Sequence, residues 1–253
     1  MLRHTFKIFP GVGTRLERHL WHEGISVWED FLSKKKVRGI SQDRKEKLNR
    51  EISAALQALE KGNPGYFAER LNDTEHWRLF EAFRNETVCL DIETTGGQPA
   101  EGAVTMVGIY GNGAMQTLIQ GINLDPKILS EILSSYKLVI TYFGRVFDLP
   151  FLQKSMPGIH IRMPHFDLCP ASHCLGIKGG LKKLEKFFGI SREDSLDGMN
   201  GYDAVILWHK YQAGNAEALD LLKKYNEADT KNLYLLAEIL YGMLCRKYGP
   251  GIN

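Results

Sequence analysis

The chain has no long uninterrupted apolar segment among its 253 residues. No window approaches the roughly 18 consecutive apolar residues that indicate a membrane-spanning helix. The first eight residues carry charges on both sides of their few apolar side chains, so they lack the apolar stretch of a secretory signal. The sequence predicts a soluble protein, and we expect it to be cytoplasmic, with no membrane partner.

Cysteine is scarce, and its four positions contain no CxxC pair. Cys169 and Cys174 lie near His165 and His173, but the C-x4-C spacing lacks the second half of a structural zinc site. Reduced thiols are therefore the expected state. A serine hydrolase is also disfavoured, because the chain contains no G-x-S-x-G motif.

Charge is nearly balanced overall, at +2, but it is unevenly distributed. Residues 1–50 contain twelve Lys or Arg and only six Asp or Glu, whereas the sequence from residue 86 onward is slightly acidic. This distribution suits a polyanion-binding segment attached to a carboxylate-based catalytic unit. A basic helical face that is merely solvated is the alternative.

The hydrophobic pattern divides the chain into two parts, which we predict to be a helical segment at 1–85 and an α/β domain at 86–253. In the first part, helices are expected at 14–23, 42–60 and about 68–83. The second part is expected to contain a mixed five-stranded sheet flanked by helices. Its predicted strands are 87–92, 104–110, 115–119, 138–142 and 159–166, and its main helices are 126–134, 148–154 and 216–244.

Carboxylates stand at three places where the pattern is otherwise apolar. Asp91 and Glu93 end the first strand and point to the same face, where they repel each other unless a cation lies between them. Asp148 follows another strand among apolar residues, and Asp229 interrupts the apolar stripe of the last helix, one turn after Tyr225. The alternatives are a solvated strand end, a helix N-cap at Asp148 and a tolerant edge of the helix.

Together these motifs resemble the DEDD exonuclease superfamily over about residues 86–245. Asp91-Ile-Glu93-Thr-Thr-Gly matches its first motif, Asp148 its second, and Tyr225 with Asp229 its third, so the chain resembles the tyrosine subtype and bacterial ribonuclease H-like exonucleases in particular. The resemblance implies a ribonuclease H-like fold and a 3′→5′ exonuclease. It also implies two divalent cations, Mg²⁺ or Mn²⁺. These ions prefer oxygen ligands, which the carboxylates would supply.

The resemblance also implies a role for each residue. Asp91 would bridge both metal ions, Glu93 and Asp229 would hold the ion that binds the nucleophile, and Asp148 would support the second ion through water. Tyr225 would orient the attacking water, and we expect Thr94, Thr95 and Phe143 to contact nucleic acid. Phe143 departs from the family, which commonly has Asn there, and it could stack on a base.

The first segment resembles a helix-hairpin-helix element around Pro10-Gly11-Val12-Gly13. In that family the turn offers backbone N–H groups to a phosphate. Arg15 and the run Lys34, Lys35 and Lys36 would add sequence-independent attraction to DNA or RNA, with single strands or 3′ ends as the expected partner. The alternative is that the glycines only make a turn. For the whole chain, an inactive nucleic-acid-binding module and a structure-specific endonuclease are the competing hypotheses.

Overall fold

The computed structural model describes residues 1–97 and 101–251. The N-terminal part begins with a 3₁₀ turn at Leu2–His4 and then forms four short or medium helices. These are α1 (Thr14–His22), α2 (Trp28–Ser33), α3 (Gln42–Glu60) and α4 (Pro64–Ala68). The predicted helices at 14–23 and 42–60 are present. The helical stretch predicted around 68–83 is present only as a shorter 3₁₀ helix at Asp73–Leu79, since Asn72 and Asp73 favour turns over helix interiors. A 3₁₀ turn at Arg84–Glu86 then leads into the sheet.

Five strands form one mixed sheet in the order β3-β2-β1-β4-β5, which confirms the predicted α/β class. β1 pairs antiparallel with β2 and parallel with β4; β2–β3 is antiparallel and β4–β5 is parallel. The turn between β2 and β3 has positive φ at Asn112 and Gly113, as a two-residue hairpin requires. The strands are β1 (Thr87–Thr94), β2 (Val104–Gly111), β3 (Ala114–Ile119), β4 (Leu138–Thr141) and β5 (His165–Asp167).

The last strand is shorter than the sequence predicts. The prediction of a strand over 159–166 is wrong, because only His165–Asp167 pairs with β4. Pro157 and Pro164 flank the unpaired residues and cannot donate a ladder hydrogen bond. The helices of this part are α5 (Pro126–Ser134), α6 (Asp148–Ser155), α7 (Leu168–Cys174), α8 (Leu181–Phe187), α9 (Gly201–Gln212) and α10 (Ala216–Tyr248).

Helices cover both faces of the sheet. Leu90 and Val107 pack against Leu129 of α5 and Phe151 of α6 on one face. The 33-residue helix α10 crosses the other face and contacts β1 to β4. Within the described residues, none of the helices is both long and apolar enough to cross a membrane.

The N-terminal helices pack on the same side of the sheet as α10. Their aromatic side chains join one apolar cluster with residues of the sheet and of α10. The ring of Phe80 lies 5.9 Å from that of Phe166 and 5.4 Å from that of Tyr241, both edge-on. The basic N-terminal part is therefore held against the α/β body by shared apolar burial.

The helix α10 approaches the sheet most closely over Gly108 of β2. Gly108 is the cross-strand partner of Asp91, and a Cβ added to it would collide with the side chains of Asn226 and Thr230. Both of those side chains are fully buried. Glycine at 108 therefore lets polar residues of α10 reach the end of β1.

Replacing Gly108 by alanine tests this approach. We expect Gly108→Ala to lower the free energy of unfolding by about 1–3 kcal/mol, because the added methyl group overpacks a site whose neighbours cannot move into solvent. Urea denaturation measures the change. The matched control is Gly201→Ala, where a Cβ meets nothing within 4 Å. Equal stability of Gly108→Ala and the wild type would contradict the proposed close contact.

Candidate metal centre

Three carboxylates meet where β1 lies under α10. Asp91 and Glu93 point from β1 towards the helix, and Asp229 extends from the helix towards the strand. One ligand oxygen from each residue lies within 4.8 Å of the other two. Among the described residues this is the only such group of His, Cys, Asp or Glu side chains. Within the part of the chain that the structure describes, the cysteines and histidines near residue 170 form no such group.

The three acids are in an electrostatically unfavourable setting. Burial raises the pKa of Asp91 and of Glu93 well above their ordinary values, and the carboxylate of Asp229 raises both further. Burial also raises the pKa of Asp229, although the nearby Arg192 opposes this shift. Carboxylates that repel one another at such a site are stabilised by a cation placed between them.

Unpartnered oxygen atoms indicate where a cation fits. Glu93 Oε1 and Asn226 Oδ1 are buried and accept no hydrogen bond. Asp229 Oδ1 also lacks a well-directed hydrogen bond, although it faces the Arg192 guanidinium in an ion pair. Hard oxygen donors of this kind suit Mg²⁺ or Mn²⁺ better than zinc. The residues therefore fit a divalent cation.

Asp148 lies beside this trio but is not one of its members. It is the first residue of α6, it is buried, and α6 has no side-chain N-cap, so the alternative interpretation of Asp148 as a cap is not supported. Burial raises its pKa to about 7, partly offset by hydrogen bonds from the backbone of Asp148 and Ile92. Its charge also raises the pKa of Asp91 and Glu93, as expected for a neighbour.

Tyr225 is buried next to the acids and is held by Lys182. The Lys182 ammonium donates a hydrogen bond to the Tyr225 hydroxyl oxygen and lies 4.3 Å from the ring centroid. Burial raises the pKa of the phenol, with the charges of Asp229 and Glu93 adding to the effect, so the hydroxyl stays protonated. Because its oxygen already accepts from Lys182, Tyr225 is suited to donating its proton in a hydrogen bond.

A second basic residue, Arg192, braces Asp229 from the loop after α8. Its guanidinium makes two bonds to Glu185, Nε–Oε2 at 2.8 Å and Nη2–Oε1 at 2.6 Å, and it also pairs with Asp229. Asn232 donates to the same Glu185 at 2.9 Å. A cleft of about 640 Å³ opens beside Lys182 and Arg192.

Sequence reasoning did not predict Arg192 or Asn226 at the site. Nothing in the irregular loop around Arg192 marks it, because its position depends on how that loop folds back onto α10. Asn226 did carry a signal: it is a polar residue four positions after Leu222 and seven before Leu233, a helical spacing that places it on the buried side of α10.

The remaining predicted contacts of this domain lie at the end of β1, in the turn after it and in the loop after β4. Phe143 has a φ of 64°, its N–H donates to Asp167 Oδ1 at 2.8 Å, and 46% of it is exposed. Asn adopts this left-handed conformation more readily than Phe, so the backbone of Phe143 is strained. The hydroxyl oxygens of Thr94 and Thr95 accept from Gly96 N and Ala103 N, at 3.1 and 3.0 Å, and so stabilise the turn after β1.

The predicted phosphate-binding residues of the N-terminal part are exposed. Gly11 has a φ of 75°, and its carbonyl accepts from Arg44 at 2.6 Å. Gly13 is the N-cap of α1, and Arg15 follows in the first turn of that helix. The lysine run at 34–36 lies on the surface. Ile25 and Trp28 are buried in the same apolar cluster as Val12 of this turn, so the turn also supports a core.

The fold and the cluster define a class: an α/β protein whose mixed sheet presents several acids at one strand end. The chain belongs to the RNase_H superfamily, whose family model matches residues 88–241, more than half of the sequence. No curated protein matches the chain significantly.

Solved structures with a similar fold share little sequence with this chain. One is the family B DNA polymerase of the hyperthermophilic archaeon Pyrobaculum calidifontis, with 16% identity and a TM-score of 0.53 over 64% of this chain. The match covers 25% of the polymerase, so the chain corresponds to about a quarter of that protein. Brucella melitensis NrnC with bound Mg²⁺ matches at 20% identity and a TM-score of 0.47, covering 66% of this chain and 78% of NrnC. The Aedes aegypti Nibbler EXO domain matches at 11% identity and a TM-score of 0.47, covering 69% of this chain and 87% of the Nibbler domain.

The raised pKa of Asp148 predicts a pH dependence of stability in chelator. The folded protein keeps a proton on Asp148 up to about pH 7, whereas the unfolded chain releases it near pH 4. The contribution of Asp148 to stability is therefore fully present below about pH 4 and is lost as the pH rises to about 7. Urea denaturation in EDTA across this range, on the wild type and Asp148→Asn, measures it.

Comparison with the variant isolates this effect from other titrating groups. We expect Asp148→Asn to gain stability relative to the wild type as the pH rises, because the amide cannot ionise. The exposed Asp220 provides the control, since Asp220→Asn makes the same change on the surface of α10. Parallel curves for Asp148→Asn and the wild type between pH 4 and 7 would show that Asp148 titrates normally.

Proposed function

We propose that this protein is a metal-dependent nuclease that hydrolyses phosphodiester bonds, acting as a 3′→5′ exonuclease on DNA or RNA. The observation that carries the proposal is the cluster of Asp91, Glu93 and Asp229, whose ligand oxygens lie within 4.8 Å of one another beneath α10. Buried oxygen atoms without partners in this cluster support a cation site. Membership of the RNase_H superfamily supports the same reaction class.

Each residue has a role that its surroundings support. Asp91, Glu93 and Asp229 would hold the divalent ions, with Asp148 supporting them from the start of α6. The chemistry that two such ions would supply at these residues is activation of the attacking water and stabilisation of the leaving 3′ oxygen. Tyr225 would donate its hydroxyl proton in a hydrogen bond that orients the water. A neutral phenol is a poor base, so positioning is the role that suits it.

Substrate contacts would come from both parts of the chain. The exposed ring of Phe143 is available to stack on a base, a contact that every base can make. Thr94 and Thr95 would contact the nucleic-acid strand near the acids. We assign nucleic-acid attraction to the 1–85 segment, through the turn at Gly11 and Gly13, Arg15 and the lysines at 34–36, and hydrolysis to residues 86–253.

Removing one carboxylate tests the nuclease activity. We expect Asp229→Asn to reduce cleavage by at least about 100-fold, because the amide oxygen is a weaker ligand and carries no charge. The assay uses 5′-labelled single- and double-stranded DNA and RNA with Mg²⁺, Mn²⁺ or EDTA. A ladder that shortens from the 3′ end, present only with metal, is the expected product.

The control changes the same residue type on the same helix. Asp220→Asn replaces a solvent-exposed acid of α10 and should cleave like the wild type. Full activity of Asp229→Asn would reject the assignment of the site. If the wild type binds metal but cleaves none of the substrates, the nuclease proposal is rejected and a nucleic-acid-binding role becomes the better one.

The lysine run in the N-terminal part makes a separate prediction. We expect replacement of Lys34, Lys35 and Lys36 by alanine to weaken oligonucleotide binding and to flatten its dependence on salt, because fewer counterions are released from the phosphates. Fluorescence anisotropy at several salt concentrations measures both. A variant with Lys127, Lys210 and Lys231 replaced by alanine loses the same charge elsewhere on the surface. If both variants have the slope of the wild type, the lysine run makes no phosphate contacts.

A further inference from the structure

Asn226 has a fully buried side-chain amide that contacts Asp91, one of the three clustered acids. Its Nδ2 donates a hydrogen bond to Asp91 Oδ2 at 2.9 Å, across 135 positions of sequence. Asn226 is 0% exposed, so its amide is shielded from solvent, whereas Asp91 is partly exposed. Fixing one oxygen of a carboxylate fixes the plane of the whole group, and so determines where its other oxygen can face.

The surroundings of Asn226 bind its backbone and leave space for its side chain. Thr230 donates to the backbone carbonyl of Asn226 at 2.7 Å, one turn further along α10. Gly108, directly across the sheet from Asp91, provides the space beside the Asn226 side chain. Any Cβ at position 108 would collide with Asn226 Oδ1 and displace the amide.

The chemistry of the amide also suits a position beside a cation. A Lys or Arg next to Asp91 would bring a positive charge that repels a divalent ion, and an Asp or Glu would add to the existing repulsion between acids. Asn donates a hydrogen bond without carrying charge. It can therefore orient Asp91 without competing with the ion for the carboxylate.

From this arrangement we infer that Asn226 is a positioning residue, which orients Asp91 for binding the divalent ion through the Nδ2–Oδ2 hydrogen bond. The inference rests on the proposed function, because it assumes that the acids bind a metal. Asn226 is not one of the four acids. The affinity for metal, rather than the fold, is the property that we expect to depend on its amide.

A calorimetric titration of the purified protein with Mn²⁺ tests the inference. We expect Asn226→Ala and Asn226→Leu to bind Mn²⁺ about tenfold or more weakly than the wild type, as residues that support metal ligands commonly do when replaced. Leucine has the branching and the number of side-chain heavy atoms of asparagine, with bulkier methyl groups in place of the amide, whereas alanine leaves a cavity. The two variants therefore separate loss of the hydrogen bond from loss of packing. Leu236→Ala, at a buried apolar position of the same helix, is the control for destabilisation alone. It should bind Mn²⁺ like the wild type.

Each outcome has a distinct meaning. Thermal unfolding of each variant establishes that the titrated protein is folded, and if the leucine variant does not fold, the alanine variant decides. Wild-type affinity in either folded Asn226 variant overturns the inference, as does an equal loss of affinity in Leu236→Ala. Failure of the wild type itself to bind Mn²⁺ rejects the proposed metal centre, and with it the role of Asn226. The inference is supported if both Asn226 variants bind Mn²⁺ more weakly than the wild type and Leu236→Ala does not.

Discussion

Repulsion between buried carboxylates is the constraint on which the rest of the site depends. Asp91 and Glu93 share one face of β1 because alternate residues of a strand do so, and α10 brings Asp229 against them. Burial makes the charged forms costly, and their proximity increases that cost. Without a compensating charge, the acids would favour protonation or separation. The arrangement becomes favourable when a divalent cation is bound among them.

The side chains around the acids limit this repulsion and fix the positions of the carboxylates. Arg192 reaches Asp229 from one side while Glu185 holds the guanidinium in place. Asn226 holds Asp91 from the other side, and Gly108 provides the space that it needs. Because these contacts come from a loop, a helix and a strand that are distant in sequence, the site is formed only when the whole domain is folded.

The N-terminal part is connected to the same region by specific contacts. Asp73 forms an ion pair with Arg145, which lies in the loop between β4 and α6. Asp167 accepts from the backbone N–H groups of Phe143 and Arg145, at 2.8 and 3.2 Å, and so holds that loop from β5. The loop carries the exposed Phe143 and leads directly to Asp148. The segment proposed to attract nucleic acid therefore supports the loop next to the acids.

Local sequence determined much of this protein. Short apolar runs predicted the first four strands, and helical spacing predicted the apolar stripe of α10. The approximate bounds of α1, α3, α5, α6 and α10 were also predicted, because all these features depend on side chains close together in the chain. The positions of Asp91, Glu93 and Asp229 followed from the same patterns. The helix predicted around 68–83 and the strand predicted over 159–166 are shorter than predicted, because turn-forming residues and prolines prevented regular hydrogen bonding. Only the tertiary structure decided that Arg192 and Asn226 reach the acids, since both contacts join residues brought together by packing α10 and its neighbours onto the sheet.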